Sequence, residues 1–167
     1  MADIRDPGRL EKAFLSAQAL DEGDLAQAYV LVRLCNDGIS MERWRDAVAQ
    51  SACCQGPMWQ SVRDPRGYIH ALFAHRREQD LEAGRVLVVT DILTAGPAWR
   101  AALEAIDAAA RAAAREAACA SIRIMVHPHR EAPGSERLRG AFRACGYRDC
   151  GPYLSLSAPL AMGGPGS

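Results

Sequence analysis

"RVLVVTDILTAGPAWRAALEAI", residues Arg85–Ile106, is the stretch on which the fold turns. Its opening, Arg85–Leu93, is almost continuously apolar, which predicts a central strand covered on both faces. From Trp99 the period changes. Trp99, Leu103, Ile106, Ala110, Ala113 and Ala117 recur at helical spacing, while Arg100, Glu104, Asp107, Arg111 and Arg115 line the opposite face. This predicts an amphipathic helix from Ala98 to Ala118, laid on a sheet. "SIRIMV" (Ser121–Val126) then predicts a second strand. A strand, a long helix and a strand in succession make a right-handed parallel crossover. The junction between strand and helix also carries chemical meaning. Free N–H groups and the helix dipole favour an anion at such a place. Here it holds one glycine, Gly96, followed by Pro97, which has no N–H to offer.

Upstream, "PMWQSVRD" and "YIHALFAHR" flank Asp64-Pro65-Arg66-Gly67. Pro then Gly between extended runs predicts a hairpin. "RREQDLEAG" (Arg76–Gly84) reads as a charged connection to the central strand. Ser40 is suited to cap the helix "MERWRDAVAQSA", where Met41, Trp44, Val48 and Ala52 share a face. "AQAYVLVRL" (Ala26–Leu34) is dense in β-formers and predicts a strand, and the residues up to about Asp24 read as a helical lead-in. Downstream, "HPHREAPG" is a loop and Ser135 begins a helix through Cys145 with Gly146 as its stop. "YLSLS" (Tyr153–Ser157) is a last strand, and "AMGGPGS" is a tail. The resulting division is a lead-in over 1–24, one domain over 25–160 and a flexible tail over 161–167.

A length of 167 residues favours one core. Lys+Arg and Asp+Glu balance at 20 each, so no basic excess points to nucleic acid or to an anionic membrane surface. No apolar run approaches the roughly 20 residues of a membrane span. The opening "MADIRDPGRLEKAF" lacks the apolar core of a signal peptide. Six cysteines, Cys35, Cys53, Cys54, Cys119, Cys145 and Cys150, show no CxxC spacing. They read as reduced thiols of a cytoplasmic protein, and no metal site is expected.

The order of elements, the opening "LDEGDLAQAYVLV" and the closing "AFRACGYRDCGPYLSLS", where a helix ends in Gly146-Tyr147 before the last strands, resemble the GNAT acyltransferase superfamily over about Gln18 to Leu160. The resemblance implies an α/β GNAT-like fold, a mixed central sheet with a parallel strand-helix-strand core. It implies acetyl-CoA or another acyl-CoA as co-substrate, bound between Arg85–Leu93 and Ser121–Val126. By that resemblance the backbone of Ile92, Leu93 and Thr94 takes the thioester and pantetheine. Ala95, Gly96, Pro97, Ala98 and Trp99 take the pyrophosphate. The acyl acceptor would be an amine, on a small molecule or a protein, and a homodimer fits the family. Two departures stand out. The loop is several residues short, with Pro97, Ala98 and Trp99 where the family spends its glycine-rich turn. Phe142 stands where many members place a tyrosine that protonates the leaving thiolate.

Single residues carry two readings each. Asp91, the one carboxylate of the central strand, suits a general base if burial raises its pKa, or else a loop residue accepting backbone hydrogen bonds. Tyr147 or Tyr153 is placed to replace the missing acid, or to fill a core or edge position. Arg100 can reach a phosphate or pair with Glu104 four residues on. His127 and His129 suit a metal or proton relay, or a plain loop. His70 and His75 are not spaced as a pair. Trp59 borders a cleft on the hairpin, as core or as a substrate contact. Without GxGxxG, a Rossmann-like nucleotide binder fits poorly. The expected function is N-acyl transfer from acyl-CoA to an amine. The alternative is a catalytically inactive GNAT-like domain serving as a binding or assembly module.

Overall fold

The computed structural model describes residues 15–53, 56–126 and 133–157. Its strands are β1 (Ser16–Ala19), β2 (Met58–Arg63), β3 (Ile69–Asp80), β4 (Gly84–Thr94), β5 (Ser121–Met125), β6 (Arg148–Cys150) and β7 (Tyr153–Ser157). They form one sheet in the order β1-β2-β3-β4-β5-β7-β6. β4 and β5 are parallel, and every other neighbouring pair is antiparallel. Helices α1 (Leu25–Cys35) and α2 (Met41–Cys53) pack on one face, and α3 (Trp99–Glu116) and α4 (Pro133–Ala144) on the other.

Strand alternation and helix period explain this layering. Leu87 and Val89 of β4, Ile122 and Ile124 of β5, and Phe73 of β3 point to the α3 side. There they meet Ala102, Leu103, Ile106, Ala110 and Ala114, the buried stripe of α3. The alanines let the helix lie close to the sheet. Each fully buried Leu, Ile or Phe contributes about 1.5–3 kcal/mol relative to exposure. Leu72, Leu93 and Trp59 face the other way, against Ala28, Leu31 and Val32 of α1 and Trp44 of α2.

The hairpin forms where expected. Gly67 takes φ 85, which suits glycine, and its N–H donates to the Asp64 carbonyl. Asp64 Oδ1 also accepts from the N–H of Arg66 and of Tyr68. The crossover is parallel, and Gly146 (φ 93) stops α4, with the Tyr147 N–H returning to the Phe142 carbonyl.

Four expectations differ. The run Ala26–Leu34 is helix α1, not a strand. Its uniform apolar look comes from Val30 and Leu34, which are 60% and 71% exposed, while the buried set Ala28, Leu31 and Val32 has helical spacing. The lead-in contains the edge strand β1 at Ser16–Ala19 and a short 3-10 turn at Glu22–Asp24, so the first strand precedes the segment on which the opening resemblance rested. Asp24, bonded at both oxygens by Arg63, ties the start of α1 to β2. Arg76–Gly84 is not a long connection. β3 runs on to Asp80, and Asp80 Oδ1 accepts the N–H of Glu82 and Ala83 to close a tight turn into β4. Finally, Arg148–Cys150 adds the strand β6. It is short, exposed, and braced by Arg139 and Arg143 on Asp149.

Among the described residues no helix is long and apolar enough to cross a membrane.

Candidate functional site

The site is made by a fault in β4. Leu72 pairs with Leu93 and Ala74 with Thr90, so between these pairs β3 advances two residues while β4 advances three. The additional residue is a β-bulge, and Asp91 takes φ 48 there. Asp tolerates this left-handed region better than most residues. The parallel ladder to β5 ends at Val89 and Ile124. Beyond it β4 continues with β3 to Thr94, whereas β5 continues with β7 to Met125. The two strands part, and the ladder between them does not extend along β4 from Thr90 to Thr94.

This opening leads to the first turn of α3. Gly96 has φ 78, and a Cβ built on it meets nothing within 4 Å. The glycine therefore serves conformation, and the space above it is clear. Ala102 N–H makes the bond to the Ala98 carbonyl that starts the helix. The N–H groups of Trp99, Arg100 and Ala101 precede it and, at a helix start, have no intrahelical partner. No side chain caps this end. The Pro97 ring is exposed and contributes no donor. A groove of about 680 Å³ runs on between α3 and α4, lined by Trp99, Arg100, Leu103, Arg137, Ala141 and Cys145. A larger one, about 840 Å³, lies by the far end of α3 at Ala113, Glu116 and Ala117, away from the parting of the strands.

The expected site residues fall into three groups. Ile92, Leu93, Thr94, Ala95, Gly96, Ala98, Trp99 and Arg100 form one continuous strand-loop-helix segment beside the opening. Within it Leu93 and Ala98 are buried, and the Thr94 carbonyl accepts a long contact from the Cys35 thiol. Arg100 does not form the expected pair with Glu104. Its guanidinium lies over the Trp99 ring, 5.2 Å from the centroid, at the rim of the groove. Asp91 is at the parting point but exposed, where a buried carboxylate was expected.

Tyr147 is elsewhere. It is 3% exposed, packed edge-on against Phe142. Its hydroxyl donates to Asp107 Oδ1 of α3 at 2.9 Å, and Arg111 donates to both oxygens of the same carboxylate and to the Cys145 carbonyl. Burial, then the Asp107 charge, pushes the phenol far above its usual range. This network pins the end of α4 to α3, and a hydroxyl held this way is a poor proton donor to the cleft. Phe142, fully buried, has no proton to give. Tyr153 sits on β7 opposite Met125, with Arg123 stacked over its ring at 5.0 Å.

His127 and His129 lie outside the described residues. His70 and His75 are not a pair: His70 meets Asp64, and His75 is buried beside Gln60. Burial, with Arg77 nearby, pushes His75 below its ordinary value, which keeps it neutral. Cys35, Cys119, Cys145 and Cys150 are free thiols. The sequence reading missed the bulge, whose one signal was an Asp inside an apolar, β-branched run.

A parallel pair that parts at a bulge, open toward a helix start, with two helices on each face of the sheet, is a specific architecture. The chain has the GNAT fold. A spermidine N-acetyltransferase from Vibrio cholerae, in complex with CoA and spermine, superposes with TM-score 0.66 at 14% identity, covering 89% of this chain and 98% of that one. An aminoglycoside N-acetyltransferase, AAC(6')-Iy in complex with CoA, gives TM-score 0.66 at 10% identity, over 82% and 90%. An acetyltransferase from Trypanosoma brucei gives 0.59 at 17% identity, over 82% and 94%. No family model and no curated protein sequence matches the chain. The GNAT fold is thus carried by a sequence only 10–17% identical to those of these three structural neighbours.

Proposed function

We propose that this protein is an N-acyltransferase that moves an acyl group from acetyl-CoA, or another acyl-CoA, to an amine. The observation that carries this reading is the parting of β4 from β5 at Asp91, aimed at an uncapped α3 with clear space above Gly96. CoA in complex with two proteins of this fold supports it.

Bound acyl-CoA would supply the thioester. Ile92, Leu93 and Thr94 offer it strand backbone, and the first-turn N–H groups of Trp99, Arg100 and Ala101 favour its pyrophosphate. Arg100 and Arg137 add positive charge along the groove. In the transfer, the amine nitrogen bonds to the carbonyl carbon, the C–S bond breaks, and its electron pair leaves on sulfur. The proton lost by the amine is balanced by the one the thiolate gains. Neither Phe142 nor Tyr147 handles that proton. A thiolate whose conjugate acid has a pKa near 8.5 leaves without much help. Catalysis therefore rests on holding two reactants together and on backbone donors polarising the carbonyl. Asp91 at the bulge is the nearest carboxylate on β4 to accept the amine's proton.

The alternative, a GNAT-fold binding module without turnover, is favoured by Phe142 and by Pro97 in the loop. Calorimetric titration with acetyl-CoA and CoA separates the outcomes when paired with release of free CoA thiol. Binding with turnover is expected. Binding without turnover on an amine panel selects the module, and no binding at millimolar ligand removes the acyl-CoA reading altogether.

A further inference from the structure

The α1/α2 face holds two polar groups that the transfer chemistry above does not use. Trp59 pairs across the sheet with Ala74, and Ala74 pairs with Thr90. Directly paired residues share a face, so these three side chains stand in one row, the Trp59 and Thr90 backbones about 9–10 Å apart. Trp59 Nε1 and Thr90 Oγ1 are both buried, and neither has a hydrogen-bond partner among the described residues. Thr90 is 7% exposed. Buried polar groups in native proteins are nearly always paired, so two orphans in one row call for a cause. The other orphan, the Ser121 hydroxyl, begins β5, at the opposite end of that strand from the parting.

Their position supplies the cause. Thr90 is the residue before the Asp91 bulge, at the point where β4 leaves β5. It faces away from α3 and α4, so it lies across the sheet from the groove that would carry the acyl donor. Trp59 is partly exposed, and Trp44 packs edge-on against its ring at 4.9 Å. The Trp44 N–H is satisfied by the Leu25 carbonyl at 3.2 Å, whereas the Trp59 N–H is left over. The residue between Trp59 and Thr90 in this row is Ala74, whose side chain is a single methyl group.

The chemistry of the two orphans narrows the partner. An indole N–H only donates, and a threonine hydroxyl both donates and accepts. Their complement is an oxygen. Ammonium groups along a polyamine offer donors alone and cannot pair the Trp59 N–H. We infer that Trp59 and Thr90 form an acceptor subsite that binds a hydroxyl or carbonyl oxygen of the incoming amine. The substrate class is then an oxygen-bearing amine, an amino alcohol, amino sugar or amino-acid amide, and not an oxygen-free polyamine. This inference rests on the acyltransferase reading above.

The test is acetyl-CoA turnover, followed by CoA thiol release, on matched acceptors: 4-amino-1-butanol against 1,4-diaminobutane, and glucosamine and glycinamide against spermidine. It is run on the unaltered chain, Thr90→Val and Trp59→Phe, with calorimetric acetyl-CoA binding measured on each. The expected result is at least a tenfold preference in kcat/KM for the oxygen-bearing acceptors. That preference collapses in both variants through acceptor KM, while acetyl-CoA affinity is unchanged. Preference for the oxygen-free amines overturns the inference. So does a preference that both variants leave intact, or turnover with none of the acceptors although acetyl-CoA binds. A raised Tm in both variants with unaltered kinetics also overturns it, since the orphans would then be a packing defect. Failure of acetyl-CoA to bind at all overturns the acyltransferase reading first.

Discussion

From Gly84 to Val89, β4 is laddered to β3 on one side and runs beside β5 on the other, and its side chains Val86 to Val89 are buried. From Thr90 to Thr94 the same strand keeps β3, releases β5, takes a positive φ at Asp91 and carries an exposed carboxylate. The first half spends its sequence on packing. The second gives up a ladder, a regular backbone and a buried hydrogen-bond partner at Thr90, all within a few residues. Losses concentrated in this way mark where a fold serves something other than its own stability.

Substitutions can break this contrast. The largest effect belongs to the packed half. Leu87→Ala leaves a cavity under α3 and should cost about 2–5 kcal/mol in urea unfolding. If the cost is under ~1 kcal/mol, this half is not the core of the molecule. At the bulge, Asp91→Val forces a β-branched residue to φ 48 and should destabilise by about 1–3 kcal/mol. Asp91→Gly, which accepts that conformation freely, should be near neutral in stability while lowering turnover if the carboxylate takes a proton. Equal stability of the two variants would mean that the positive φ is not held.

Away from the parting, Tyr147→Phe removes the donor to Asp107 while Arg111 remains, for a cost of about 1 kcal/mol in thermal or chemical melts, with CoA affinity unmoved. A fall in CoA affinity would extend the site into the α3–α4 network. A smaller effect depends on pH. The N–H groups of Ala83 and Glu82 and the Arg123 guanidinium hold Asp80 at about 2, below its ordinary 3.8. A carboxyl held low stabilises the fold above its unfolded value and loses that contribution as pH falls through the folded one. Tm should therefore drop between about pH 4 and 2 more steeply in the unaltered chain than in Asp80→Asn. Parallel melting curves would dismiss the turn as a pH-sensitive element. The smallest effect expected is at the loop. Pro97→Gly restores a backbone donor and should tighten CoA only a few-fold, by calorimetry.

How much of this was legible beforehand follows the same divide. The packed half of β4, the long amphipathic α3 and the parallel crossover could be read because apolar period and strand-helix alternation set them directly. The Pro65-Arg66-Gly67 turn was legible from local chemistry. Helix α1 was not, because Val30 and Leu34 face solvent and hide the helical spacing of Ala28, Leu31 and Val32. Tertiary packing on Leu72 and Leu93 outweighed the local β preference. The run from Ile92 to Arg100 was legible as the end of a strand, a loop and a helix start. Its cause, an additional residue in one strand of an antiparallel pair, is a relation between β3 and β4 that period alone does not show. The Tyr147–Asp107 bond joins residues 40 positions apart and was equally out of reach. The Trp59–Thr90 row needed the register of three strands before it could be seen.

The sheet also ends bluntly. β1 has four residues, and β6 has three, clasped through Asp149 by two arginines of α4. Short, charge-braced margins are poor templates for a further strand. Among the described residues, such edges disfavour continuous sheets built across copies and leave any contact between copies to side-chain surfaces. The exposed ridge of Val30 and Leu34 on α1 is one such surface.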